Sequence, residues 1–325
     1  MTEVRLTIEP VLVERFRADL DALIEPSRRI GLAVSGGPDS MALLLLAAAA
    51  RPGQVEAATV DHLLRDGSHE EAEMVARASA QIGVPHTILR ARWDDRPDTA
   101  IQEKARRERY RLLGFWVEER GLDALVTGHH VDDQAETVLM RLARGSGVRG
   151  LAGMHRRSVA VGTKVKLLRP LLGWRRPELE EICAAAGIEA SADPSNEDRK
   201  YERVRVRRGL READWLDAAA IARSAANLAE ADAALDWAMQ AEWKHGVREK
   251  RDSITYRPSD VPREILRRIA ARAVRHLTTE GDAHLRGPEL DRLLTTLIDG
   301  GTSTLRGVLC RGGAEWQFSR APERR

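Results

Sequence analysis

The sequence predicts an α/β fold, with a Rossmann-like parallel sheet followed by a smaller, mainly helical C-terminal domain. In the first half, short apolar or β-branched segments alternate with longer segments of helical periodicity, a pattern typical of βαβ units. A glycine-rich turn joins the first apolar strand to an apolar helix. After Arg211 the chain becomes alanine-rich, with leucine, tryptophan and acidic residues at helical spacing. We therefore predict two domains, residues 1–211 and 212–325.

The individual elements follow from apolar runs and stop signals. The predicted parallel strands cover residues 30–35, 55–61, 86–90 and 124–127. The predicted helices of this half cover residues 38–50, 68–82, 99–120 and 132–144. Alternation over residues 159–168 predicts a hairpin with Gly162 at its turn. Further on, we predict helices at 212–246, 265–277 and 290–298, and a strand–turn–strand at 304–318.

Composition limits the class of protein. Of 325 residues, 43% are apolar and 31% are charged, which predicts packed cores rather than a disordered chain. Lys and Arg number 52 against 50 Asp and Glu, so a wholly electrostatic nucleic-acid binder is not expected. A polyanionic partner would have to meet a local basic patch.

The lack of an export signal and the isolated cysteines predict a cytoplasmic protein. The longest apolar run, residues 41–50, is about half of the roughly 20 residues that a membrane-spanning helix needs. The N-terminus has no basic start followed by an apolar core, so no export is expected. Cys183 and Cys310 stand alone and far apart, which argues against a disulfide framework and against a thiolate metal site.

The glycine-rich turn predicts a phosphate-binding loop. It consists of Ser35, Gly36, Gly37, Pro38, Asp39 and Ser40. The glycines allow close backbone approach, and the following helix N-terminus offers unpaired N–H groups to an anion. Gly37 stands where a Walker A loop has its lysine, so we expect Mg²⁺, held in part by Asp39, to meet the phosphate charge. The alternative is a tight turn that only closes a strand–helix unit.

A second group of polar residues follows the fourth predicted strand, at the sheet edge where open α/β folds bind ligands. It comprises His129, His130, Asp132, Asp133 and Glu136. Carboxylates three or four residues apart share a helical face and can receive an ammonium group, and either histidine could accept a proton. Two alternatives remain: Asp132 as a helix N-cap, and a metal site.

Other candidates are less specific. Arg106 and Arg109 lie three apart on a predicted helix and could contact phosphates, or could belong to a solvated face with Glu103 and Glu108. Asp61 and His62 end the second strand, where they could meet a nucleoside or simply form a turn.

A basic stretch near the predicted domain boundary supplies the local patch. It holds seven cations against Glu202, namely Arg199, Lys200, Arg203, Arg205, Arg207, Arg208 and Arg211. The alternation of arginine and valine from Arg203 to Arg207 predicts an extended segment whose arginines track a phosphate backbone. The alternative is a basic linker with no partner.

Six ordered segments together resemble the motif series of the tRNA(Ile)-lysidine synthase family, within the ATP pyrophosphatases that carry a pyrophosphate (PP) loop. The segments are residues 35–40, 60–65, 105–110, 128–137, 144–151 and 193–196. An ordered series over residues 28–210 is far more specific than one short match. The resemblance implies ATP-dependent replacement of the C2 oxygen of the wobble cytidine in a CAU-anticodon isoleucine tRNA by lysine, through an adenylated cytidine.

The resemblance also implies roles for the parts. Residues 1–211 would be the catalytic domain, with ATP at the PP loop and at Asp61 and His62, and residues 212–325 would contribute to tRNA binding. A tRNA cytidine sulfur-transfer enzyme and a non-catalytic ATP-binding module stay open as alternatives. Paired cysteines would favour the first alternative, and a site without the acid and histidine cluster would favour the second.

Overall fold

The computed structural model describes residues 8–63, 67–91, 93, 101–188, 200, 202–278, 285 and 287–322. The chain divides into two compact units. Unit 1 comprises residues 1–145 and 152–226, and unit 2 comprises residues 146–151 and 227–325. The units thus divide beyond the boundary near residue 211 that the sequence predicts.

The order of elements matches the predicted alternation of strands and helices. In chain order they are α1 (Pro10–Asp21), β1 (Ile30–Ala33), α2 (Pro38–Ala50), β2 (Val55–Asp61), α3 (Ser68–Gln81), β3 (His86–Arg90), α4 (Ile101–Glu119), β4 (Ala124–Thr127), α5 (Val131–Leu142), α6 (Val148–Leu151), β5 (Arg157–Val159), β6 (Lys166–Leu168), a 3₁₀ helix (Pro170–Gly173), α7 (Arg176–Ala185), α8 (Glu202–Glu212), α9 (Ala218–Gly246), β7 (Val247–Lys250), β8 (Ser253–Tyr256), α10 (Arg263–Leu277), α11 (Gly287–Ile298), β9 (Thr302–Leu305), β10 (Val308–Arg311) and β11 (Trp316–Arg320). The sequence did not predict α1 or α7.

The sheet of unit 1 has the strand order β3-β2-β1-β4-β6-β5. Its first five strands are parallel, and β5 runs antiparallel to β6 as the predicted hairpin, with Gly162 at φ +72°. The chain moves outward from β1 to β2 and β3, then returns to the other side of β1 with β4. The loops after β1 and β4 therefore diverge at a topological switch point, where such sheets bind ligands.

The centre of unit 1 is held by an apolar helix. Every residue from Met41 to Ala47 of α2 is fully buried, against the sheet and between α1 and α7. On the other face, Trp116 of α4 packs so closely that a Cβ at Gly31 would lie 2.5 Å from its ring. Although α2 is apolar all round, no helix in the described ranges is long and apolar enough to cross a membrane.

Unit 2 combines helices with a five-stranded antiparallel sheet of order β7-β8-β11-β10-β9. The predicted helices are present as α10 and α11, and the predicted terminal strands as β10 and β11. Helices hold more of its described residues than strands do, as predicted, but the sequence did not predict β7, β8 or β9. The β7 segment, Val-Arg-Glu-Lys, is short and largely exposed, so it lacks the apolar alternation that indicates a strand.

An ion network joins α6 to the helices of unit 2. Arg149 lies within ion-pair distance of Asp232 and Asp236 on α9. The same two carboxylates bind Arg268 of α10 at 2.5 and 2.7 Å, and Arg268 is only 4% exposed. The buried charge of Arg268 is therefore balanced by two carboxylates, without which its burial would be costly.

Candidate active site

The turn after β1 has the shape of an anion-binding loop. Gly36 adopts φ +90°, a left-handed conformation that favours glycine. Gly37 is the N-cap of α2, and Pro38 is its first residue. The Ser35 backbone N–H donates to Ser40 Oγ at 3.0 Å, and this hydroxyl donates to the Gly37 carbonyl at 2.9 Å. The Ser40 side chain thereby fixes the turn at a helix N-terminus.

The segment after β4 rests directly on this turn. A Cβ at Gly128 would lie 2.7 Å from the Asp39 carbonyl oxygen and 3.3 Å from Ser40 Cα. Since real Cβ atoms do not approach backbone so closely, only glycine allows this contact. The two motifs that are far apart in sequence thus meet at the switch point.

His130 is buried among three carboxylates. Its Nε2 lies 3.4 Å from Asp39 Oδ2 and 3.5 Å from Asp133 Oδ2, and its Nδ1 lies 3.4 Å from Asp132 Oδ2. The His130 backbone N–H donates to Asp133 Oδ2 at 3.1 Å. His130 is also the N-cap of α5, so the proposed capping role of Asp132 is wrong, because the helix already begins at Val131.

These contacts fix the charge of the cluster. Burial lowers the pKa of His130, but hydrogen bonds to Asp132 and Asp39 outweigh it and raise that pKa to about 10. The His130 contact lowers the pKa of Asp132 to about 2. The Asp132 N–H lies 3.2 Å from Nδ1, where a neutral ring could accept it, whereas an imidazolium donates to the carboxylates instead. At neutral pH, His130 therefore already carries its second proton.

His129 has the opposite character. Its Nδ1 lies 2.8 Å from Thr127 Oγ1, and its side chain is half-buried. Burial is the main reason that its pKa lies well below the ordinary value, and nearby guanidinium groups lower it further. These belong to Arg169, Arg203, Arg106 and Arg109. Of the two predicted proton acceptors, only His129 is neutral at neutral pH.

The acids of α5 are bound by arginines from α8. Arg203 donates to Glu136 Oε2 and to Asp133 Oδ1, both at 2.5 Å, and Arg207 donates to Glu136 Oε1 at 2.6 Å. The predicted extended conformation of this stretch is wrong, because residues 202–212 form a helix. Helical spacing places Arg203 and Arg207, four apart, on the same face toward α5. These two arginines therefore line the site.

The other two arginines predicted to bind tRNA lie on the exposed side of α8. Arg205 donates to the Lys200 carbonyl at 3.2 Å, and Arg208 pairs with Glu212 at 2.5 Å. Both side chains belong to exposed residues. The basic stretch is thus divided between the site and the surface.

Arg106 and Arg109 approach the site from α4. Their guanidinium carbons lie 5.1 and 5.6 Å from the ring centre of buried Tyr110. Neither pairs with a carboxylate in the described part of the chain, and Glu108 binds Arg111 instead. Burial lowers the pKa of Arg109, and Arg106 and Arg203 lower it further. Clustered guanidinium groups without an internal anion suit an anionic ligand.

Asp61 and His62 take different positions at the end of β2. Asp61 is buried, and its Oδ1 accepts hydrogen bonds from the Leu63 N–H at 3.0 Å and the Ser68 hydroxyl at 2.7 Å. This geometry fits the turn-forming alternative for Asp61. Burial lowers the pKa of His62, and its Nδ1 has no hydrogen-bond partner among the described residues.

Arg169 is a site residue that no motif indicated. It is 6% exposed and follows β6, so it reaches the same sheet edge. Its Nη1 donates to the His155 carbonyl at 2.8 Å and to Ser158 Oγ at 2.9 Å, and its Nε has no partner within the described ranges. An arginine directly after a predicted strand was the available signal. The predicted motif at residues 193–196, together with Leu64, Arg65 and Arg199, lies outside the described residues.

Comparison with known proteins identifies the family. A family model of the PP-loop domain matches residues 12–213. The chain is 49% identical over 314 residues to the tRNA(Ile)-lysidine synthase of Novosphingobium aromaticivorans, covering 96% of this chain and 94% of that protein. This chain belongs to the tRNA(Ile)-lysidine synthase family. It is also 43% identical over 301 residues to the tRNA(Ile)-lysidine synthase of Zymomonas mobilis, covering 92% and 90% of the two chains.

Solved structures add evidence on the fold. The U34-tRNA thiolase NcsA from Methanococcus maripaludis, with its [4Fe-4S] cluster, matches with a TM-score of 0.56 and 14% identity, covering 70% of this chain and 82% of that one.

In this member of the lysidine synthase family, Cys183 donates to the Pro38 carbonyl at 3.3 Å and Cys310 is buried in unit 2. Burial raises their pKa values to about 11 and 12, unlike reactive or metal-binding thiols. The paired cysteines that would favour sulfur transfer are not found.

The Mg²⁺ that the sequence of the loop predicts is compatible with the surroundings of Asp39. Asp39 Oδ1 is buried without a hydrogen-bond partner in the described part of the chain. The described residues contain no group of three or more His, Cys, Asp or Glu that could hold a metal alone. One carboxylate oxygen beside an anion-binding turn is what Mg²⁺ needs when substrate phosphates supply other ligands.

We predict that Gly128→Ala weakens ATP binding about tenfold or more while leaving the circular dichroism spectrum unchanged. The new methyl group would push the Asp39 carbonyl and deform the loop. Isothermal titration with ATP measures the change. Gly173→Ala, whose methyl group meets nothing within 4 Å, is the matched control. An unchanged ATP affinity for Gly128→Ala would contradict the loop contact.

We predict that His130→Asn lowers the free energy of unfolding by about 3 kcal/mol at pH 7, because three carboxylates lose their cation. The His130 pKa of about 10 lies above its ordinary 6.5, so this stabilisation is complete below about pH 6.5 and is lost as pH rises through 10. Urea unfolding at several pH values measures the difference between wild type and variant. For His86→Asn the difference should stay constant between pH 7 and 10, since burial lowers the His86 pKa to about 4.

Proposed function

We propose that this enzyme uses ATP to join lysine to C2 of the wobble cytidine in a CAU-anticodon isoleucine tRNA. The products would be lysidine, AMP and pyrophosphate, and the reaction would take place in the cytoplasm. The observation that carries this proposal is the contact of the anion-binding turn with an acid cluster through His130, which lies 3.4 Å from both Asp39 and Asp132. An enzyme that activates its substrate with ATP and then binds an amine needs the phosphate-binding turn and the amine-binding acids close to the same reacting atom.

The turn suits the first step, adenylation of the cytidine O2. A carbonyl oxygen is a poor leaving group, whereas AMP leaves readily once it is attached to that oxygen. The N-terminus of α2 and the Ser35 and Ser40 hydroxyls would hold the phosphates. Mg²⁺, when bound at Asp39, would neutralise charge on the departing pyrophosphate.

The arginines suit the charge that accumulates around the reacting atoms. Arg106 and Arg109 have no carboxylate partner among the described residues, and Arg169 keeps an unsatisfied Nε. They would bind the α-phosphate of the adenylate or a tRNA phosphate beside the wobble base.

The acids of α5 suit the second step, attack by lysine. Asp133 and Glu136 are already bound by Arg203 and Arg207, whereas Asp132 keeps an oxygen free of hydrogen bonds from the described residues. With a pKa of about 2, Asp132 is anionic at neutral pH and attracts an ammonium group. The neutral His129 is then the histidine able to accept the proton that the amine gives up.

We predict that radiolabelled lysine enters a transcribed CAU-anticodon isoleucine tRNA when purified protein, ATP and magnesium are present. Asp39→Asn should reduce incorporation by at least roughly a hundredfold, because it removes a charged ligand at the phosphate site. An isoleucine tRNA with a GAU anticodon, which lacks the cytidine, is the negative control. Absence of label in the CAU tRNA over a range of magnesium concentrations would refute the proposed function.

We predict that replacing Arg205 and Arg208 together with alanine weakens tRNA binding and flattens its salt dependence. Each lost phosphate contact lowers the slope of log K against log salt by nearly one, so a change of about two is expected. Filter binding from low to physiological salt measures the slope. Arg77→Ala on α3, an exposed arginine paired with Glu73, serves as the control. An unchanged slope would place the tRNA elsewhere.

A further inference from the structure

The part of α9 that belongs to unit 2 carries an exposed tryptophan on its outward side. Trp237 is 74% exposed, whereas Met239 and Trp243 of the same helix are buried in the core of unit 2, and Leu235 packs against that core. Tryptophan is among the residue types most enriched where a protein surface meets a partner. Trp237 thus lies opposite the side of the helix that packs into unit 2.

Small and polar residues surround Trp237 on the same side of α9. Positions three, four and seven residues away lie within about 60° of Trp237 around the helix axis. The residues at these positions are all exposed, namely Glu230, Ala233, Ala234, Gln240, Ala241 and Lys244. Together with Trp237 they form a surface that we call the α9 face. Its three alanines would allow a second helix to approach closely and leave room for a large ring.

The α9 face is complementary to itself when two copies run in opposite directions. Ala233 and Ala241 lie four residues on either side of Trp237, and Glu230 and Lys244 lie seven residues on either side. In an antiparallel pair with Trp237 at the two-fold axis, Glu230 of each copy therefore faces Lys244 of the other. A parallel pair would place like charges opposite each other, which is unfavourable. The charges thus match a second copy of this chain in the antiparallel direction.

The two charged side chains of the α9 face are available for this contact. Neither Glu230 nor Lys244 forms a side-chain hydrogen bond or an ion pair within the described part of the chain. By contrast, Asp232, Asp236 and Glu242 on other sides of α9 are bound by partners in unit 2. An RNA strand suits the face less well, because Glu230 would repel its phosphates and Lys244 is the one cation of the face.

We infer that two copies of this chain associate through their α9 faces, antiparallel and related by a two-fold axis at Trp237. Each Trp237 ring packs against the alanines of the other copy, and two pairs of Glu230 with Lys244 flank this centre. The contact uses the same surface on both copies, so it closes as a dimer. Residues 230–244 extend over only about 21 Å of helix, so the interface is small and the dimer dissociates in the micromolar range. The inference does not depend on the proposed function.

Sedimentation velocity of the full chain over micromolar concentrations tests this association. Trp237→Ala should weaken it at least about tenfold, because each dimer loses two aromatic anchors at the centre of the interface. Trp215→Ala is the matched control, since Trp215 is 79% exposed but lies outside the α9 face, and association should be unchanged. Equal loss in both variants, or a wild type that stays monomeric at every concentration, would overturn the inference.

Charge exchange tests the direction of packing. Glu230→Lys and Lys244→Glu should each weaken association roughly fivefold or more, because each places like charges opposite each other twice. The double variant, and an equal mixture of the two single variants, should both regain wild-type affinity, since opposite charges face each other again. Circular dichroism shows that each variant keeps its helices. If the double variant stays weak, or if Trp237→Ala weakens tRNA binding without changing sedimentation, the inference is wrong.

Discussion

The ion cluster around His130 is the interaction on which the geometry of the site depends. Asp39 comes from the first turn of α2, whereas Asp132 and Asp133 come from the first turn of α5. Three carboxylates this close would repel one another without a shared cation. The imidazolium therefore holds together the first turns of two helices that belong to different βαβ units, and the absence of a side chain at Gly128 allows the two segments to approach this closely.

The charged side chains around this cluster form two neighbouring regions, one acidic and one basic. Asp133 and Glu136 are neutralised by α8, which leaves Asp132 as the acid available to an amine. In the second region, Arg106, Arg109 and Arg169 lie close enough to His129 to lower its pKa, and they form no ion pair with a carboxylate among the described residues. A formal net charge of only +2 conceals this separation. An amine and several phosphates can thus be accommodated in one site without sharing the same contacts.

Much of the fold could be predicted because its signals are local. Apolar runs located β1 to β4, and glycines with a helix N-terminus indicated the anion-binding turn. The conformation of residues 203–207 could not be predicted this way, because alternating arginine and valine fits a strand as well as a helix. Its helical form depends on tertiary partners, Asp133 and Glu136, that lie about 70 residues earlier. Arg169 was missed for a similar reason, since its neighbours come from other strands.

The placement of α6 has a consequence for how such a protein can be divided. Residues 146–151 belong to unit 2, so the chain passes between the units three times, not once. Removing everything after residue 226 would keep Arg149 but discard Asp232 and Asp236, the carboxylates that pair with it. Expressing only residues 227–325 would keep those carboxylates and lose the arginine. No single cut in the gene at residue 226 therefore separates the C-terminal unit intact, because it divides Arg149 from its carboxylate partners.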